Sequence, residues 1–288
     1  MKRIILTLSL IIMILLCLVS MSSCSKKDQT LNTYTVEEGF SNISINVSES
    51  NIVFLHSDDG KCRVESQEYT RLKHSVTVVG DTLKIEEDDS RRFYEKFFGS
   101  GAFSATVYLP LDTYKSLVIN GSTGDISIDG GFSFETINID VSTGNVSCSA
   151  SASSEMKITL STGDITVSDF NGGSVCLEVS TGKINASNIS CSNFRSNGTT
   201  GGATLNGVVA TESINVSSTT GNVSLNSCDG AEIFIGCTTG DVNCSLLTDK
   251  IVYANATTGN INVPKCYEGG KCEIETTTGD INVSIEGK

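Results

Sequence analysis

The sequence predicts an all-β protein: a right-handed parallel β-solenoid (a β-helix) with coils of 19–20 residues and an irregular N-terminal β cap. The first observation is a Ser/Thr-Thr-Gly step that occurs nine times at spacings of 19 or 20 residues. The second is the alternation of polar and apolar residues on both sides of each step, which is typical of strands with one buried face. The third is a composition suited to a narrow interior, with no Trp and 6% aromatic residues. The repeated glycines are Gly124, Gly144, Gly163, Gly182, Gly201, Gly221, Gly240, Gly259 and Gly279.

A repeat of this length is too short to bury its own apolar side, so successive units are expected to stack on one another. Stacked strands place equivalent residues about 4.8 Å apart, so nine coils would form a rod ~40 Å long. Parallel crossovers are right-handed in nearly all proteins. Each unit is expected to contain a strand, a Thr-Gly corner, a second strand and a variable loop. The glycine at the corner is expected to be structural, because it tolerates positive φ and close backbone approach.

Apolar residues recur at fixed places relative to each glycine and are predicted to point into the core. They occupy the second and fourth places after it, as in Ile126 and Ile128, and the seventh and fifth places before it. In six units another apolar residue stands at the seventh place after the glycine and is expected to point inward from a second corner. These six are Phe170, Ile189, Val208, Cys228, Leu247 and Cys266.

Residues 1–23 are predicted to be a lipoprotein signal peptide and residues 24–33 a polar tether. Lys2 and Arg3 precede an apolar run over residues 4–19, and small residues follow that run. This order is typical of an export signal. The run is also short for a membrane-spanning helix, which needs about 20 apolar residues.

Cys24 resembles the lipid-modified cysteine of bacterial lipoproteins, because it follows Ser22 and Ser23 at the end of the signal. Met21 departs from that pattern, in which leucine is usual. The chain is therefore expected to be exported and held at the cell membrane, outside the cytoplasm, by a lipid on Cys24. Ordinary signal cleavage nearby and an uncleaved anchor are the alternatives.

Residues 34–116 are expected to form irregular β coils that cap the rod, and residues 117–288 the regular solenoid of nine repeats. Alternation continues in the N-terminal part, where Ser50 occupies the place that glycine holds elsewhere. Residues 88–101 break the pattern and are expected to form a loop or short helix whose aromatic residues cover the open end. The far end shows no cap in the sequence, so its last coil is a candidate edge for self-association.

The formal net charge of −13 argues against nucleic-acid binding, which needs basic patches to displace counterions. Eleven cysteines would suggest a disulfide framework, but no two share a place on consecutive repeats. Cys228 and Cys266 share a place two coils apart, about 9.6 Å by the stacking distance, whereas a disulfide needs Cα atoms within about 7 Å. Apart from Cys17 in the signal, Cys24, and Cys62, which lies in the N-terminal region and has no place in the repeat, the cysteines are therefore predicted to be small buried hydrophobic residues.

The repeats and three N-terminal segments together resemble a bacterial "putative adhesin" repeat family, a domain of unknown function on exported and lipid-anchored proteins. The segments are Phe40–Ile45, Val79–Ile85 and Val107–Pro110. The resemblance covers residues 34–285 and implies a β-helical fold in the cell envelope. The fifth coil departs most from the pattern and is expected to be looser. Its unusual residues are Ser196, Gly198 and Gly202.

The residues that follow the corner glycines are mostly Asp and Asn, which suggests a calcium ladder as one hypothesis. Aspartates do not occur on consecutive repeats, whereas a calcium ladder would cluster them, so no metal site is predicted. Asp164 and Lys183 are expected to form a weak ion pair between coils. His56 and His74 lack the spacing of a metal site and are expected at the surface. The residues after the glycines are Asp125, Asn145, Asp164, Lys183, Gly202, Asn222, Asp241, Asn260 and Asp280.

These observations favour a non-catalytic, membrane-tethered cell-envelope protein that acts as an adhesin or binding scaffold through its polar face. No catalytic residue, cofactor or metal is predicted. The expected partners are the membrane, through the lipid anchor, and a surface glycan or envelope protein, with edge-to-edge self-association in addition. Two alternatives stay open: a regulatory or sensory partner of an envelope membrane protein, and a carbohydrate-active β-helix enzyme.

Overall fold

The computed structural model of the chain describes residues 29–92 and 103–287, whose regular secondary structure is entirely β-strand. The strands before the regular repeats are β1 (Gln29–Val36), β2 (Asn42–Val47), β3 (Asn51–His56), β4 (Cys62–Tyr69), β5 (Leu72–Val79), β6 (Thr82–Asp89) and β7 (Ser104–Leu109). Those of the repeats are β8 (Thr113–Thr123), β9 (Ile126–Ile128), β10 (Ser133–Thr143), β11 (Val146–Cys148), β12 (Ser151–Thr162), β13 (Ile165–Ser168), β14 (Ser174–Thr181), β15 (Ile184–Thr200), β16 (Ala203–Thr220), β17 (Val223–Thr239), β18 (Val242–Leu246), β19 (Lys250–Thr258), β20 (Ile261–Asn262), β21 (Gly270–Thr278) and β22 (Ile281–Ile285). The repeat strands pair in parallel from coil to coil, which confirms the predicted β-solenoid.

The inward residues of successive coils lie in register, as predicted, except in strand β20. There Ile261, the second residue after Gly259, is 45% exposed, because among the described strands β20 pairs only with β22. Val146 pairs with Ile126 on one side and with Ile165 on the other, and these three residues are at most 3% exposed. Burial of a Val or Ile side chain stabilises a fold by ~2 kcal/mol, so these columns hold the coils together. The interior also accommodates large rings in several coils. The fully buried ones are Phe54, Phe132, Phe134, Phe170 and Phe194.

The corner glycines are required by the backbone geometry. Gly163 has a φ of 132°, which side chains rarely allow, and its N–H donates to the Thr181 carbonyl at 2.9 Å. A Cβ on Gly163 would lie 1.9 Å from the carbonyl oxygen of Gly144 in the preceding coil. The corners therefore approach one another more closely than any side chain permits, which gives these glycines the expected structural role.

A residue with positive φ turns a further side chain inward in four of the coils. Alternation alone would point the seventh residue after the glycine outward, because it lies an odd number of steps from the inward fourth residue. The positive-φ residues are the sixth after the corner glycine in their coils: Asp169, Asn188, Gly207 and Ser227. The residues after them, Phe170, Ile189, Val208 and Cys228, are buried as predicted.

The same prediction is wrong for Leu247, which is 40% exposed. In that coil the sixth place holds Leu246, a side chain that disfavours positive φ, and strand β18 runs on to it without a bulge. Alternation therefore buries Leu246 and leaves Leu247 outside. Cys266, the last residue of the set, is partly buried.

The last two coils stack in reversed order. Strands β21 and β22 pair with β17 and β18 on one side and with β19 and β20 on the other. The coil formed by β21 and β22 therefore lies inside the stack, and the coil of β19 and β20 forms the end of the rod. The expectation that repeats stack strictly in chain order fails here.

A lysine and two glycines accommodate this reversal. Lys250 Nζ lies 2.6 Å from Asp229 Oδ1, across the inserted strand, and the lysine side chain is 5% exposed. A Cβ on Gly270 would lie 3.5 Å from Lys250 Cδ and 2.1 Å from the Ala231 carbonyl oxygen. A Cβ on Gly269 would meet backbone equally closely. The missing side chains therefore let β21 enter between β17 and β19.

The N-terminal end also departs from chain order. The coil of β2 and β3 lies between β6–β7 and β8–β9, and Ser50 stands next to Gly124 in the column of corner glycines. Beyond it β5 runs antiparallel to β6, β4 runs antiparallel to β7, and β1 pairs antiparallel with β4. The irregular cap is therefore an antiparallel layer laid on a parallel stack.

The boundaries predicted for the tether and for the loop at residues 88–101 differ from those in the structure. Residues 29–33, assigned to the tether from sequence, lie in β1, and Asp88 and Asp89 end strand β6 rather than starting a loop. The signal peptide, Cys24 and residues 93–102 lie outside the described residues. The described part of the chain contains no helix with the length and apolarity that a membrane crossing requires.

All nine cysteines among the described residues are free thiols, and most of them are buried. Burial raises the pKa of Cys62, at the start of β4, to about 12. It raises the pKa of Cys191 similarly. Since the thiolate is the reactive form, these cysteines act as packing residues.

Candidate functional site

The residues that follow the corner glycines form a hydrogen-bonded column along the rod. In most coils the Oδ1 atom of one Asp or Asn accepts the backbone N–H of its counterpart in the next coil. The Asn145 N–H donates to Asp125 Oδ1 at 2.7 Å, and the Asp164 N–H donates to Asn145 Oδ1 at 2.9 Å. The column satisfies backbone donors at the corners, which is a structural reason for Asp and Asn at this place.

Two aspartates of this column are neighbours, contrary to the sequence prediction. Because the last coils are reversed, Asp280 lies beside Asp241, and its backbone N–H donates to Asp241 Oδ1 at 2.9 Å. This N–H dipole offsets part of the repulsion between the two carboxylates. Within residues 29–92 and 103–287, no three His, Cys, Asp or Glu residues are grouped closely enough to hold a metal ion.

The expected contact between Asp164 and Lys183 forms through the backbone instead of the charged amine. The Lys183 N–H donates to Asp164 Oδ1 at 2.7 Å, as elsewhere in the column. Lys183 and Gly202 offer no side-chain oxygen to the coils that follow them, so the column is interrupted at this point. The predicted ion pair is therefore replaced by a corner hydrogen bond.

The surface prediction holds for His56 but is wrong for His74, which is 3% exposed. The His74 ring stacks on Phe103 with 4.2 Å between centroids. Its Nδ1 lies 2.6 Å from Ser66 Oγ, and its Nε2 lies 3.0 Å from Ser50 Oγ. Burial lowers the pKa of His74 to about 4, although the nearby Glu68 charge acts in the opposite direction.

The directions of the hydrogen bonds around His74 indicate a structural role. Ser50 Oγ donates to Glu87 Oε2 at 3.0 Å, and that oxygen also accepts the backbone N–H groups of Ser48 and Glu49. His74 Nε2 must then donate to Ser50, and Nδ1 accepts from Ser66. A nucleophilic serine needs a histidine that takes its proton, and at Ser50 the hydrogen bond runs in the opposite direction. Ser66 does donate to the ring, but it is 0% exposed and out of reach of a substrate, so this group is a buried polar network.

Glu68 ties the first strand to the cap beside this network. Its carboxylate accepts the Tyr34 hydroxyl at 2.8 Å, the Asn32 amide at 2.6 Å and the His74 backbone N–H at 3.2 Å. Burial acts to raise the pKa of Glu68, but the hydrogen bonds, led by that from Tyr34, outweigh it and the pKa is lowered. The pKa of Tyr34 is raised to about 12 by burial and by the same contact. These bonds stabilise β1 against β4 and β5.

An aromatic groove lies on the outer face of the rod where β15, β16, β17 and β21 stack. It is a groove open to solvent with a volume of about 430 Å³, and Phe234 and Gly236 form its centre. Both residues point outward from β17, and a Cβ on Gly236 would have no atom within 4 Å, so the space beside the ring is open. The residues paired with them are Asn215 and Ser217 on one side and Glu273 and Glu275 on the other.

Charged groups of both signs surround this groove. Arg195 extends the wall on β15, one coil beyond Asn215. Lys271 Nζ lies 5.3 Å from the Phe234 ring centroid and 2.5 Å from Glu273 Oε2. The same ammonium group lies 6.0 Å from the ring centroid of Tyr253. It therefore balances the Glu273 carboxylate and lies within cation–π range of two aromatic rings.

Neither the network nor the groove is predicted by the repeat pattern, although each leaves a local signal. Strand alternation from Leu72 through His74 to Val76 places the histidine on the inward face. Phe234 shares its outward column with Val118, Cys176, Tyr253 and polar residues, whereas Gly236 is the one residue without a side chain in a column that otherwise holds polar residues. Their combination becomes visible only once the register aligns them with β16 and β21.

The fold and the corner columns agree with one described protein family. The model of the Toastrack DUF4097 family matches residues 40–193 and 173–288. The chain belongs to this family. Membership confirms the resemblance identified from the repeats, and it covers both the cap and the regular coils. No curated protein matches this Toastrack chain.

Solved structures resemble this Toastrack fold at low identity. A "putative adhesin" from Bacteroides fragilis shares 18% identity with a TM-score of 0.52, over 90% of this chain and 98% of that one. A "putative lipid binding protein" from Parabacteroides distasonis shares 14% identity with a TM-score of 0.38, over 89% and 96%. A "putative adhesin" from the same organism also shares 14%, with a TM-score of 0.37, over 88% and 98%. The first likeness supports the shared fold.

Proposed function

We propose that this protein is a non-catalytic, membrane-tethered binding scaffold of the cell envelope, with an adhesin role. The observation that carries this proposal is the continuous outer face of small polar residues held in register by the stacked coils. One of its rows consists of Ser127, Ser147, Thr166, Asn185, Thr204, Ser224, Asn243, Asn282 and Asn262.

Such a face suits binding to an extended partner. Equivalent side chains repeat about every 4.8 Å, so a surface glycan or envelope protein could contact many coils at once, and multiple weak contacts sum to a stable one. The buried core and the close packing of the corner glycines hold the coils in register without a ligand. The adhesin name of the Bacteroides fragilis structure is consistent with this role.

Attachment to the membrane is proposed to use a lipid on Cys24, which would hold the rod outside the cytoplasm. Metabolic labelling with a radioactive fatty acid should mark the full chain, and Cys24→Ser should abolish the label and release the protein from the membrane fraction. Unchanged labelling and fractionation of Cys24→Ser would overturn the anchor. The binding role is tested separately.

Binding is tested with the full chain purified from the cell fraction in which it accumulates. Immobilised chain should retain envelope glycans or proteins from intact cells, and it should leave polysaccharides uncleaved. Cleavage of a polysaccharide would support the carbohydrate-active alternative. Loss of a signalling output with binding intact, after changes in the cap, would support the sensory alternative. Failure to retain any envelope component would reject the scaffold role.

A further inference from the structure

We infer that the groove around Phe234 and Gly236 binds a neutral pyranose ring of a surface glycan. This inference rests on the proposed function, because it names a ligand class and a position for binding on the same outer face. Its size agrees with the idea, since about 430 Å³ falls within the ~300–1,000 Å³ of small-molecule sites.

The centre of the groove offers an apolar platform in a polar face. Phe234 projects outward between Asn215 and Glu273, while Gly236, two residues along the same strand, leaves the space beside the ring empty of side chain. A pyranose ring presents C–H groups on one face and hydroxyl groups around its edge. The C–H face can pack on the aromatic ring in that open space, as apolar groups pack on aromatic faces generally.

The walls supply the polar partners that a sugar edge requires. Asn215 and Asn197 offer amide donors and acceptors, Glu275 offers carboxylate acceptors, and Arg195 offers a planar set of N–H donors. Planar groups of this kind bind two acceptors or donors at once, which matches adjacent sugar hydroxyls. The groove therefore pairs one apolar surface with donors and acceptors in several directions.

The charges favour a neutral ligand over a charged one. Lys271 Nζ lies 5.3 Å from the Phe234 centroid, so a cationic ligand on that ring would meet a positive charge. Glu273 and Glu275 form the opposite wall. Lys271 balances the charge of Glu273, so an anionic ligand would meet the carboxylate of Glu275. A neutral polyhydroxylated ligand can hydrogen-bond to groups of either sign without this repulsion.

Gly236→Leu tests the inference because it fills the groove at a site where an added Cβ meets no atom within 4 Å. The matched control is Thr159→Leu, which adds the same side chain at the equivalent outward place four coils away. Purified full chain is applied to an array of neutral, anionic and amine-bearing glycans, and Kd values are measured by calorimetry. Wild type and Thr159→Leu should bind neutral glycans, and Gly236→Leu should bind them at least ~10-fold more weakly.

The outcomes separate this site from the general role. Equal binding by wild type and Gly236→Leu, binding of charged glycans only, or no glycan binding would each overturn the inference. If Gly236→Leu still retains envelope components from intact cells, the scaffold role stands and only the sugar site is rejected. If wild type retains no envelope component, the proposed function fails as well. Circular dichroism of both variants checks that the coils remain folded.

Discussion

Mild acid should loosen the N-terminal cap through the buried His74. The folded-state pKa of this residue is lowered to about 4, whereas an unfolded histidine titrates near ~6.5. Between these values the unfolded chain binds a proton that the folded cap does not. Stability that is fully present above pH ~6.5 is therefore lost as the pH falls towards ~4. Linkage gives a loss of about 2 kcal/mol at about pH 5 and about 3 kcal/mol below the folded-state pKa.

This loss should stay close to the cap, because stacked coils contact mainly their neighbours. Amide hydrogen exchange in β4 and β5 should be compared at about pH 7.5 and about pH 5, after correction for the intrinsic exchange rate. The opening constant of these strands should rise about thirtyfold at the lower pH, as expected for about 2 kcal/mol. Strand β12, in the middle of the stack, serves as an internal reference and should change much less.

Two histidine variants isolate the effect. His74→Gln removes the titrating group, so its cap stability should be flat across this pH window even if it is lower throughout. His56→Gln makes the same substitution at the exposed histidine and is the matched control. Glu68, whose pKa is lowered by its hydrogen bonds, adds a further loss only in more acidic solution. The same pH dependence in His74→Gln as in wild type, or an NMR titration of His74 near ~6.5, would refute the reasoning.

Three further substitutions probe the coils. Gly163→Ala should lower the free energy of unfolding by at least about 4 kcal/mol, since its Cβ would meet a carbonyl oxygen at 1.9 Å. Gly236→Ala should barely change Tm, and a similar loss of Tm in both variants would contradict the corner geometry. Asp229→Asn should lower the free energy of unfolding, measured in urea, by about 3 kcal/mol, because it leaves the buried Lys250 without its counter-charge. Lys250→Met should lower it by less, and the reverse order would argue against this contact. Ser196→Ala should stabilise by about 1 kcal/mol, because Ser196 Oγ is buried without a hydrogen-bond partner; a lower Tm would contradict that.

The repeat alone predicts the coils because the residues that determine the corner and the inward face lie within each unit. The Thr-Gly corner requires glycine for backbone reasons that are the same in every coil, and alternation assigns Ile126, Val146 and Ile165 to the interior. A sixth place that tolerates positive φ, as in Asn188, even predicts where the chain turns a second side chain inward. Leu246 lacks that tolerance, so a residue-level argument about φ corrects the prediction for Leu247.

The order of the end coils could not be predicted in the same way. All coils present similar edges to one another, so the repeat does not distinguish a neighbour in sequence from the next coil but one. The choice depends on local packing: Gly269 and Gly270 make room for the inserted strand, and Lys250 reaches across it to Asp229. That reversal is also what brings Asp241 beside Asp280.

By itself, the sequence determined the all-β class, the coil length, the inward columns and the glycine corners, because these follow from periodicity and from backbone sterics within one repeat. Only the tertiary structure decided which coil ends the rod, that His74 is buried between two serines, and that Phe234 lies beside an empty space lined by three other strands. These features depend on which strands become neighbours, and that is settled by side-chain packing across coils rather than by the pattern within one.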